Sequence, residues 1–145
     1  MRYLIILLFI NSLYGVGFWT LTNVTKANIY IANKVVYLKP ETIQSITHKV
    51  KTTLEKNNIK TGLQDSPTLI ISIEEIEEEE THYVYIKFDL GEEVKTYRKD
   101  STQTYALTYT SSEFIDVDTS ELDADIMESI DSLLSQFIEQ YKDDI

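Results

Sequence analysis

Leu69, Ile71 and Ile73 occupy odd positions, whereas Val84, Ile86, Phe88 and Leu90 occupy even ones, with polar or smaller residues between most of them. An apolar side chain at every second residue describes a strand with one face in a core and the other turned away from it. The set changes parity somewhere between Ile73 and Val84, and that interval holds IEEIEEEETH, with six glutamates in the seven positions from Glu74 to Glu80. A turn or bulge inside the run would reverse the strand and place the glutamates in water, so we expect a solvated hairpin end.

The rest of the chain supplies the layer that such strands need. Ala27, Ile29 and Ile31 alternate with polar residues, and Val35, Val36 and Tyr37 extend them as a strand or its bent continuation. Pro40 and Glu41 open a helix, proline because its missing N–H is not needed there and glutamate because it faces the positive helix end. Ile43, Ile46, Val50 and Leu54 form its buried stripe, and Asn57, Asn58 and Gly62 are its stop signals. Asp65-Ser66-Pro67 is a turn before the Leu69 strand. The third strand runs from about His82 to Leu90, and Gly91-Glu92 is read as a short hairpin into Val94–Lys99, which Lys99-Asp100-Ser101 interrupts. Thr102–Thr110 continues that strand or forms another, since threonine and tyrosine favour strands. A last helix is marked by Thr119 or Ser120 as cap, by Glu121, Asp123 and Asp125 in its first turns, and by the stripe Leu122, Ile126, Ile130, Leu133, Leu134, Phe137 and Tyr141.

The expected fold class is therefore α+β in the order β-α-β-β-β(-β)-α. Two helices would cover one face of an antiparallel or mixed sheet of four or five strands, in a two-layer sandwich. Arg2, the apolar run Tyr3–Ile10 and the small-residue exit to Gly17 read as a secretory signal peptide over residues 1–17, too short for a bilayer span of about 20 residues. Residues 18–145 then make one domain, periplasmic or secreted, with no stable membrane insertion after cleavage. Retention of the N-terminal segment as an anchor is the alternative.

Composition narrows the functions. Without cysteine there is no acylated cysteine, disulfide or thiolate chemistry. The chain has 24 Asp and Glu against 13 Lys and Arg. Its net charge of −11 disfavours nucleic acid and anionic headgroups. The element order of about residues 24–142 resembles small bacterial envelope domains, namely the outer-membrane lipopolysaccharide-assembly lipoprotein and the N-terminal domain of TolB. The resemblance implies a fold and carries over no functional residue, and the lipoprotein's acylated cysteine has no counterpart here.

Candidate sites are few. Glu79 and His82 have E-x-x-H spacing, which aims both groups at one metal on a helix but at opposite faces on a strand. Asp116-Val117-Asp118-Thr119-Ser120 begins like a calcium loop, yet Glu121 and Met127 stand where such a loop needs glycine and a bidentate glutamate. His48 falls off the apolar stripe of its helix, and no nucleophile elbow or phosphate loop occurs among four glycines. No catalytic residue, cofactor site or defined metal site is expected, and the chain is expected not to be an enzyme. Tyr30, Tyr83 and Tyr85 lie opposite the apolar residues of their strands, on the face the helices leave open. Tyr97, Tyr105 and Tyr109 can join either face. Amphipathic tyrosines suit a protein interface. We therefore expect an unidentified envelope protein as partner, bound at this face or at an edge strand. The alternative is a divalent-cation patch at Glu77, Glu78, Glu79 and Glu80, for which Lys95, Arg98 and Lys99 would compete as internal partners.

Overall fold

A computed structural model of the chain describes residues 20–78, 81–116 and 121–145. The expected signal peptide, Glu79, Glu80 and the capping residues Thr119 and Ser120 lie outside the described residues. Six elements follow in the expected order: β1 (Asn28–Asn33), α1 (Pro40–Lys56), β2 (Thr68–Glu78), β3 (Thr81–Lys95), β4 (Gln103–Asp116) and α2 (Leu122–Asp143). The strands form one mixed sheet in the order β1-β2-β3-β4, with β1 parallel to β2 and the other pairs antiparallel.

The alternating apolar residues face the helices. Leu69 pairs with Leu90, Ile71 with Phe88 and Ile73 with Ile86. All six are fully buried, together with Ile46, Val50 and Leu54 of α1 and Ile126, Ile130, Leu133 and Phe137 of α2. The helices run side by side in the same sense. Thr42 donates to Asp123 at 3.0 Å near their first turns, and Lys49 meets Asp131 two turns later. The described chain ends meet as well, because the Leu21 amide donates to the Asp144 carboxylate at 2.9 Å and both residues are buried.

Four local expectations are corrected. The first strand stops at Asn33; Lys34–Leu38 curl so that Val35 and Leu38 enter the core and Val36 is left outside. Gly62 does not end α1, which closes at Asn57 with Asn58 at φ 65°, while Gly62 serves the following loop at φ 72°. Gly91-Glu92 is not a hairpin, for β3 passes straight through it and the chain reverses over residues 96–102. A side chain at Gly91 would put its Cβ 2.1 Å from the Tyr105 hydroxyl, so the glycine clears space for a crossing tyrosine instead of turning the chain. Finally, Lys95 sits at the far end of β3 from the glutamate run, and Lys34 is what reaches Glu74, at 2.7 Å.

The glutamate run is half strand. Glu74 to Glu78 pair with Tyr85 to Thr81, leaving only residues 79 and 80 between the paired positions Glu78 and Thr81. An even-numbered connection changes parity by itself, and no bulge is needed. A bulge does occur between β3 and β4, where Leu90 pairs with Tyr109 and Gly91 with Leu107, so Thr108 is the extra residue. It turns Tyr109 to the helix side, edge-on to Phe137 at 5.1 Å, and sends Tyr105 and Leu107 to the other face.

Candidate functional site

Two surfaces collect the side chains with chemistry to offer. The first is the sheet face turned away from the helices. Tyr30 pairs with Ile70, Tyr83 with Ile76, and Tyr85 lies between Glu74 and Phe114, so the three expected tyrosines share this face. The spread is wide, however: Tyr30 is on the edge strand β1, whereas Tyr83 and Tyr85 are on β3. Composition did not reveal their company. Phe114 stacks on Tyr85 with ring centroids 4.5 Å apart and stays 64% exposed; Leu107 is 51% exposed and Tyr105 56%. Of the remaining tyrosines, Tyr97 projects from the 96–102 turn and Tyr109 belongs to the core side.

Asp89 lies within this face and is only 5% exposed, opposite Ile70 and Thr110. One carboxylate oxygen accepts from Lys87 at 2.8 Å, and the other has no partner among the described residues. The ion pair raises the Lys87 pKa. A buried acceptor left unpaired is costly, so a donor delivered by a neighbouring molecule would gain here. The only clue in the sequence was an aspartate on the strand face that also carries Tyr83, Tyr85 and Lys87.

The second surface is a cleft of about 730 Å³ at the hairpin end, bounded by Tyr37, Lys39, Glu75, His82 and the first residues of α2. Glu75 stands at its centre. His82 Nδ1 is 3.1 Å from Glu75 and Nε2 is 3.8 Å from Glu77. The Tyr37 hydroxyl, partly desolvated and hydrogen-bonded to Glu75, has its pKa pushed up to about 12. The same hydrogen bond, with help from His82, holds the Glu75 carboxyl below its ordinary value. Lys39 pairs with Asp123 at 2.9 Å, which lowers the aspartate and raises the lysine. These ties hold β2, β3, the turn that leads into α1 and the start of α2 together, and they commit Tyr37, Lys39, Glu75, His82 and Asp123 to neighbours.

Glu79, the other half of the E-x-x-H spacing, lies outside the described residues, and His82 meets Glu75 of the neighbouring strand. Among the described residues no three His, Asp or Glu side chains converge on a point that would hold a metal ion. Of the expected cation patch, Glu77 is on β2 and largely exposed, while the side chain of Glu78 and all of Glu79 and Glu80 lie outside the description. His48 is exposed on α1, far along the chain from this cluster. No described helix is long and apolar enough to cross a membrane.

No protein-family model matches the chain, and no curated protein matches it significantly in sequence. Solved structures with a similar arrangement include the PelC dodecamer from Paraburkholderia phytofirmans, with 18% identity, a TM-score of 0.41, and coverage of 77% of this chain and 84% of that one. A minor lipoprotein from Acinetobacter baumannii aligns at 11% identity and TM-score 0.37, over 81% and 91% of the two chains. Rare lipoprotein B from Shewanella oneidensis aligns at 15% and 0.29, over 80% and 91%. Two of the three are lipoproteins. At these scores the likeness bears on neither activity nor partner.

Proposed function

We propose that this chain is an exported, non-catalytic protein of the cell envelope that acts by binding another protein through the uncovered face of its sheet. The observation that carries the reading is the apolar content of that face. Phe114, Leu107, Tyr30 and Tyr105 are each more than half exposed on β1 and β4, the outer strands of a sheet whose inner strands bury their helix-side residues fully. Aromatic side chains on rigid strands lose little conformational entropy on docking and are enriched where interfaces concentrate their energy. Asp89 adds a polar anchor within the same face. Export rests on the leader-like composition of residues 1–17, and the non-catalytic reading on a cleft in which Glu75, His82, Lys39 and Asp123 are already paired to neighbours.

Site-specific photocrosslinking in cells tests this. A crosslinker at Tyr30 or Phe114 should capture one defined envelope protein, and the same probe at exposed His48 on α1 should not. The Tyr30, Tyr83 and Tyr85 triple alanine variant should lose that adduct. Identical adducts from all three positions, or from the triple variant, would sink the proposed face.

A further inference from the structure

The sheet has two outer edges, and they are guarded differently. β1 is six residues long, with Lys34 just beyond it. β4 is fourteen residues long, QTYALTYTSSEFID, and contains no proline, lysine or arginine. Among the described residues only β3 pairs with it, so every second N–H and C=O along its outer side is unpaired within the described sheet. Soluble proteins blunt such edges with short strands, prolines or lysines, because a free edge templates further strand pairing. The one charge in the middle of β4 offers no such protection. Glu113 is turned beneath the sheet, accepting from Ser129 and Ser132 at 2.6 Å each. Beyond the Thr108 bulge, Tyr109–Asp116 pairs with β3 without a further register break.

The surroundings of that stretch select what could pair with it. On the helix side runs a groove of about 460 Å³ lined by Glu113, Asp125 and Glu128, which Asp116 and Phe114 border from the other face of β4, and it holds no lysine or arginine. On the other side stands exposed Phe114. We propose that Tyr109–Asp116 takes up an extended segment of a partner protein as a fifth strand, in which basic side chains directed at the groove alternate with apolar ones directed at Phe114. Backbone hydrogen bonds supply the pairing, and the alternation of side chains supplies the selectivity. A second copy of this chain fits poorly, since β4 against β4 would bring two acidic grooves to one seam between molecules of net charge −11 each. This rests on the reading of the chain as a protein-binding module, but it uses the β4 edge and Phe114 and calls on none of Tyr30, Tyr83 and Tyr85.

The test uses the full chain and three synthetic eight-residue peptides: alternating lysine and valine, alternating glutamate and valine, and the lysine peptide N-methylated at alternate amides. The lysine peptide should bind and slow amide exchange over residues 109–116. The glutamate peptide should bind at least about tenfold more weakly, and N-methylation should abolish binding. Asp125→Asn with Glu128→Gln should weaken the lysine peptide about three- to tenfold, and Asp125→Lys with Glu128→Lys should transfer the preference to the glutamate peptide. The Tyr30, Tyr83 and Tyr85 triple alanine variant should bind the lysine peptide as the parent does, so the edge and the face fail separately. Equal binding of all three peptides, no binding, or protection appearing at β1 overturns the proposal. So does concentration-dependent self-association abolished by Ser112→Lys, which would name a second copy as the occupant.

Discussion

The two faces of the sheet are built from the same strand-forming residue types and meet opposite environments. On the helix side, Leu69, Ile71, Ile73, Ile86, Phe88 and Leu90 are fully buried. On the other, Phe114 and Leu107 are more than half exposed, while the charged Asp89, paired with Lys87, is buried. A single face accounts for the chain's stability, since one small domain closes one core. The apolar residues of the second face contribute little to that core, which is why a role outside folding is the economical account of them.

Mutating one phenylalanine on each face breaks or confirms this contrast. Phe88→Ala should cost about 3–5 kcal/mol in urea unfolding, the usual penalty for a large cavity in a packed core. Phe114→Ala should cost no more than about 1 kcal/mol, the value of its stack on Tyr85. Equal losses would mean that the open face is covered in the isolated protein. A smaller effect is expected at the seam between the layers. Glu113→Ala strips the acceptor from Ser129, which is buried, and from Ser132, and should cost about 1–3 kcal/mol in thermal unfolding. If it costs nothing, α2 is held to β4 by apolar contact alone.

The smallest effect lies in the hairpin-end cleft and depends on pH. The folded pKa values of Glu75 and Asp123 are lowered, so their contribution is present above the unfolded carboxylate values near 4 and is lost as pH falls through the lowered ones. Tyr37 runs the other way. Its folded pKa of about 12 exceeds the ordinary 10.0, so its contribution is complete below pH 10 and is lost as pH rises through about 12. Ultraviolet titration should show a phenol ionising near pH 12 in the parent that Tyr37→Phe removes, with a stability loss of only about 0.5 kcal/mol for this surface tie. An unchanged titration would remove the Tyr37 to Glu75 contact from the account.

Both helices were legible because helical stripes are local. Ile46, Val50 and Leu54, and later Ile126, Ile130, Leu133 and Phe137, are spaced so that only one surface can bury them, and they are buried. The strand alternation was equally plain at Leu69–Ile73 and Val84–Leu90. Gly91 misled because a glycine beside a glutamate reads as a turn, whereas its function depends on Tyr105, fourteen residues later and one strand over. The true reversal at 96–102 contains no glycine and places Ser101 at φ 51°, so Lys99-Asp100-Ser101 read as an interruption of a strand and not as the hairpin turn itself. The candidate surfaces were less legible still. Tyr30, Tyr83 and Tyr85 could be assigned to a face by parity, but Phe114, Leu107 and Tyr105 joined them only because the Thr108 bulge shifts the register of β4.

What the sequence by itself determined is which side of each element is apolar, since that follows from spacing within a few residues. It also determined the acidic balance and the absence of cysteine chemistry. Only the tertiary structure decided which strand stands next to which, and with it that Glu75 meets His82, that Asp89 is enclosed on an otherwise open face, and that β4 is left as a bare edge. The reason is physical: periodicity is written along one strand, whereas register, neighbours and edges are properties of pairs of strands and depend on residues far apart in the chain.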